Sequence, residues 1–136
     1  MRSLVAVGLV LLMSGCAGIE PGKSYPSDTF IVPITYQEAY RRAEAQSRDC
    51  APPVTLSTSG NVYIDNRTAV LRIGTPNIPN GDLIRVETRA ISDDEAKVSI
   101  TVANKGIFDR EQMRAIRQSI ESGRSVCRAS KDVSIG

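Results

Sequence analysis

LIRVETRAISDDEAKVSITVA, residues 83–103, decides how the rest of the chain is read. Ile84, Val86, Thr88 and Ala90 alternate with Arg85, Glu87 and Arg89, and Val98, Ile100 and Val102 alternate with Lys97, Ser99 and Thr101. Successive side chains of an extended strand point to opposite faces, so each half has one apolar and one polar face. Asp93-Asp94-Glu95 between them reads as a polar hairpin turn. Two such strands form an antiparallel pair with one wet face and one face that another element must cover.

The same chemistry extends outward. Thr68 to Ile73 (TAVLRI) is a third apolar run, and Val54-Thr55-Leu56 and Val62-Tyr63-Ile64 flank Ser59-Gly60, which reads as a turn. Phe30 to Ile34 (FIVPI) holds Pro33, which lacks the N–H that a central strand needs and so predicts a short or edge strand. Thr35 and Glu38 form a capping box, and Ala39, Tyr40 and Ala43, with Tyr36 one turn earlier, share one side of a helix. Pro52-Pro53 stops that helix near Asp49. Asp109 and Gln112 form a second capping pair, Met113, Ile116 and Ile120 give an apolar helical stripe, and Gly123 is its stop. The fold class that follows is α+β, an antiparallel sheet of four to five strands with two helices packed on one face.

The amino terminus is of another kind. Met1-Arg2-Ser3 is short and basic, and the apolar run from Leu4 to Met13 is half the roughly 20 residues a membrane-spanning helix needs. The run ends in Met13-Ser14-Gly15-Cys16, which resembles the lipobox of bacterial lipoproteins, although leucine is commoner where Met13 stands. The resemblance implies that residues 1–15 are a signal peptide removed by signal peptidase II. It also implies that Cys16 carries the acyl chains that bind the protein to a bilayer, each buried CH₂ contributing about 0.8 kcal/mol. Ala17, in place of the aspartate that marks inner-membrane retention, implies the outer membrane and a domain facing the periplasm. Residues 16–28 then comprise the anchored cysteine and a Gly-, Pro- and Ser-rich tether (AGIEPGKSYPSD from Ala17), whose reach as a random coil is roughly 20 Å. Residues 29–136 are left as a single domain. In the oxidising compartment this implies, the remaining pair Cys50 and Cys127 is read first as a disulfide stapling helix to helix. A metal site would want more ligands, and the chain has no histidine.

That absence excludes Ser-His-Asp and Cys-His triads and weakens any case for zinc. There is no glycine-rich phosphate loop, and nothing calls for a cofactor. A net charge of +2, from 17 Lys and Arg against 15 Asp and Glu, argues against a nucleic-acid binder. Asp93, Asp94 and Glu95 are adjacent and do not converge on a cation. Two surfaces suit a partner. Arg110, Arg114 and Arg117 fall at i, i+4 and i+7 on one helix flank, fit for phosphates or an acidic partner unless they are a plain solvated face. Ile78 sits between two prolines in the long loop GTPNIPNGD, residues 74–82.

Ser59-Gly60-Asn61-Val62-Tyr63 is similar to the Ser-Gly-x-x-Tyr motif of lipoprotein inhibitors of lysozyme, and Asn104-Lys105-Gly106 to their Thr-Lys-Gly loop, though those proteins are all-β barrels with the motifs close in sequence. The expected function is a lipid-anchored, non-catalytic binding or accessory domain with an envelope protein as partner. The alternatives are an inhibitor of a cell-wall hydrolase and an enzyme that works through carboxylates alone.

Overall fold

The alternating stretch becomes the two longest strands of a five-stranded antiparallel sheet. The computed structural model describes residues 18–50, 57–75 and 78–129. The elements run β1 (Ser27–Val32), α1 (Tyr36–Cys50), β2 (Ser57–Tyr63), β3 (Thr68–Gly74), β4 (Asp82–Ser92), β5 (Glu95–Val102) and α2 (Arg110–Ser122), and the strand order is β1-β5-β4-β3-β2. β2 to β5 form a meander. β1 pairs with β5 at the far edge, so α1 must lead the chain back across the sheet to the opposite edge before β2 begins.

Both helices cover one face, as the patterning requires. Val86 lies opposite Ile100, Ile84 opposite Val102 and Thr88 opposite Val98, and all six are buried. Ala39 and Ala43 let α1 approach closely, while Met113, Ile116 and Ile120 bring α2 down on the same core. The buried hydroxyl of Thr88 is satisfied by donating to the Tyr36 carbonyl at 3.0 Å. The caps form as expected. Thr35 Oγ1 accepts the Glu38 N–H at 3.0 Å, Asp109 Oδ1 accepts that of Gln112 at 3.1 Å, and Gly123 closes α2 with φ of 75°.

Two expectations are corrected. Ser59-Gly60 is not a turn but lies inside β2, with Gly60 opposite Leu71 on the helix side of the sheet. A Cβ at Gly60 would fall 1.7 Å from the Tyr40 hydroxyl, so the glycine makes room for a ring from α1. The reversal comes at Ile64–Arg67, where Asp65-Asn66 turns the chain and Arg67 takes a left-handed φ of 52°. Residues 54–56 lie outside the described residues. The stretch after Ala17 is likewise no loose tether over its described part. Gly18 and Ile19 donate their N–H groups to the carbonyls of Asn80 (2.8 Å) and Asp82 (2.7 Å), and Ile19 is only 7% exposed. The Tyr25 hydroxyl donates to the Gly18 carbonyl and accepts from the Glu20 N–H.

Cys50 and Cys127 are joined, 77 residues apart in sequence. The bridge ties the last residue of α1 to the tail that follows α2 rather than to α2 itself. The tail is stitched in further. Val126 donates to Ser119 Oγ at 2.8 Å, and its carbonyl accepts from the buried Gln46 amide at 3.3 Å. Replacing both cysteines by serine is expected to lower the unfolding free energy by about 4.5 kcal/mol, the loop-closure value for a bridge of this span, as read from urea denaturation of the two proteins.

Candidate functional site

With two helices on one face, the other face of the sheet is left open, and strand register sets its composition. Directly opposed residues share a face, so three rows cross it. Ser59, Arg72, Arg85 and Thr101 form the first. Asn61, Val70, Glu87, Ser99 and Thr29 form the second, and Tyr63, Thr68, Arg89, Lys97 and Ile31 the third. Short side chains in the middle row, between the longer arginines and lysine, leave a shallow trough of about 370 Å³, lined by Thr68, Val70, Glu87, Arg89, Lys97 and Ser99.

Four cations face two carboxylates, Glu87 and Asp82, on this side of the sheet, and the cations come as two directly opposed pairs. Arg72 opposes Arg85, with Asp82 between them, 3.0 Å from the Arg85 guanidinium and 4.0 Å from Arg72 Nε. Arg89 opposes Lys97, and among the described residues no carboxylate pairs with either. Like charges directly opposed across strands destabilise a sheet by some tenths of a kcal/mol, so this pair is held against its own repulsion. Tyr63 and Ile31, both exposed, close the two ends of its row.

Three of the other arginines, Arg42, Arg117 and Arg128, are spent on architecture. Arg117, expected on a free anion-binding flank, reaches β1 instead. Its guanidinium donates to both carboxylate oxygens of Asp28 at 3.0 and 3.1 Å, bonds Glu121, and lies 4.4 Å over the Phe30 ring. Glu121, then Asp28, hold its pKa above the usual value. The flank is therefore reduced to Arg110 and Arg114, which are exposed and make no ion pair with the described residues. Arg42 bonds Glu38 and the Ile120 carbonyl, fastening α1 to the last turn of α2. Arg128, only 8% exposed, grips Asp109 at 2.6 and 3.0 Å, and that grip holds the Asp109 carboxyl down at about 2. Arg41 and Arg42 lower Glu38 in the same way. Both carboxylates are thus pushed toward permanent ionisation, the direction of a clamp and the opposite of a general acid.

Ile78 is exposed at the tip of a tight turn, in which Gly81 donates to the Ile78 carbonyl and Thr75 to that of Gly81. Cys16 lies outside the described residues. The two inhibitor-like motifs do not meet. Ser59 to Tyr63 lies on β2, and Asn104-Lys105-Gly106 follows β5, three strands away in the sheet. Asp93 pairs with Arg67 and Asp94 accepts from Ser92, so two of the three carboxylates are engaged at the turn, while Glu95 begins β5. Among the described residues no three His, Cys, Asp or Glu side chains cluster as metal ligands, and no helix is long and apolar enough to cross a membrane. The chain matches no family model, and no curated protein is significantly similar to it.

Lys97→Glu turns the repulsive pair with Arg89 into an attractive one and is expected to raise stability by about 0.5–1 kcal/mol in urea unfolding. Asp109→Asn keeps a capping side chain but loses the grip of Arg128. A carboxyl whose folded pKa lies below its ordinary 3.8 stabilises above that value and loses the effect as pH falls through about 2. The stability gap between wild type and D109N is therefore expected to be constant near neutrality and to close between about pH 4 and 2, as followed by urea unfolding across that range.

Proposed function

We propose that this chain is a lipoprotein of the bacterial cell envelope, anchored through acylated Cys16 after removal of residues 1–15, whose domain works by binding an acidic partner protein on the open face of its sheet. The outer membrane, with the domain toward the periplasm, is the expected location. The role is that of an accessory or scaffold component rather than an enzyme.

The observation that carries the reading is the Arg89–Lys97 pair beside the trough, opposed across strands, with Glu87 in the next row and no described carboxylate in ion-pair contact with either. An anionic group lying between the two would remove their repulsion and accept charge-assisted hydrogen bonds, with arginine offering two parallel donors. Tyr63 and Ile31 at the ends of the row add apolar contact of the kind found at the centres of protein interfaces. A bare phosphate would use the cations and leave these side chains idle, whereas an acidic protein surface uses both.

The test is photocrosslinking in cells from a reactive residue at Ser99, with mass spectrometry of the products from wild type and from Lys97→Glu. A partner captured by wild type and lost in K97E is the expected result. Because that substitution is expected to stabilise the fold, the loss would not trace to unfolding. The same products from both proteins would reject the open face as the binding surface.

A further inference from the structure

How the chain enters the domain limits where a lipid on Cys16 can lie. Gly18 is locked by position as well as by hydrogen bonds: a Cβ there would stand 2.0 Å from the Asp82 carbonyl oxygen, so only glycine fits this backbone-to-backbone approach. Ile19 is buried next to it, and the Tyr25 hydroxyl clasps the segment from the other side. An extended chain advances at most about 3.6 Å per residue, so the two residues of chain between the docked Gly18 and a lipid-bearing Cys16 allow a reach of at most about 7 Å. The slack of a long tether is gone.

Strand direction then identifies the surface beside the anchor. Gly18 and Ile19 dock on Asn80 and Asp82, where β4 begins. At this same end β5 stops at Val102, Ala103 donates to the Leu83 carbonyl, and the chain turns into α2 at Arg110. Two isoleucines are exposed on the connections here, Ile78 and Ile107, each 46% accessible. Apolar side chains beside a cationic one, Arg110, fit the boundary between lipid headgroups and acyl chains.

We infer that the domain is seated on the bilayer by this end, with Ile78 and Ile107 at headgroup level, rather than carried on a flexible stalk. The inference rests on the reading of Cys16 as a lipid anchor. It also sets the open face: Arg89 lies six residues along β4 from Leu83, about 20 Å at 3.4 Å per residue, so the Arg89–Lys97 row stands about 20 Å from the seated end.

The chain has no tryptophan, so one substitution supplies a lone reporter. The full chain, lipidated in cells, would be purified as Ile78→Trp and, for the far end of the sheet, as Ile91→Trp. Each would be reconstituted in phosphatidylethanolamine–phosphatidylglycerol vesicles with brominated acyl chains. The expected result is blue-shifted, several-fold stronger-quenched fluorescence in I78W than in I91W. Adding Gly18→Ala to I78W should undock the segment and bring its quenching down to the I91W level while the protein still floats with the vesicles. Flotation with equal, weak quenching in I78W and I91W would overturn the seating and leave the anchor standing. Failure to float would overturn the anchor, and the seating with it.

Discussion

Everything in this fold hangs on the pairing of β4 with β5 that sets Val86 against Ile100. Side chains repeat with period two, so slipping the register by one residue would send the whole apolar set of a strand into water. The helices then have a single face to cover, and the core closes beneath Ala39, Ala43, Ile116 and Ile120. The open face has no say in the matter. Once Val86 meets Ile100, Arg89 must meet Lys97, and the repulsion between them cannot be relieved by slippage without emptying the core. A cost that the fold cannot move away from is a stronger indication of use than a basic patch on a helix, where side chains swing freely.

Arginine serves two purposes in this molecule, and neighbours decide which. Arg42, Arg117 and Arg128 each reach across an element boundary to an acceptor: Arg42 to the Ile120 carbonyl, Arg117 to Asp28, Arg128 to Asp109. They hold α1 to α2, α2 to the edge strand, and the tail to the start of α2. Exposed ion pairs contribute little singly, but Arg128, whose Nε and Nη2 each meet one Asp109 oxygen, has the two-pronged geometry that does contribute. With the disulfide at Cys50 and Cys127, Arg128 fastens a short tail without secondary structure against the helices.

What was legible in the sequence was local. Alternation in residues 83–103 and the caps at Thr35, Asp109 and Gly123 act within a few residues, so composition reveals them. Ser59-Gly60 misled because Gly60 answers to the Tyr40 ring on another element and not to a turn. Arg117 looked free because its partner Asp28 is 89 residues away. Gly18 to Tyr25 looked like linker because backbone-to-backbone docking asks only for a glycine and one apolar residue, and Ile19 alone is too faint a signal. The cations of the open face were visible as letters. Their opposition was not, since pairing follows from register and register from packing.

The two ends of the sheet are mechanically one piece, and this gives the anchoring geometry its consequence. A domain on a loose tether samples many heights and orientations, and a partner that binds it must arrest that motion at an entropic cost. With Gly18 fixed to Asn80 and Ile19 to Asp82, a lipid at Cys16 would restrain height and tilt before any partner arrives, and the basic row would stand at a set distance above the headgroups. Such a surface favours a partner that is itself bound to the same membrane, because two restrained surfaces meet at high effective concentration when their heights match. It disfavours a soluble partner that must approach through a narrow range of angles. The hydrogen bonds at Gly18 and Ile19 would then act on binding from the opposite end of the molecule, through rigidity alone.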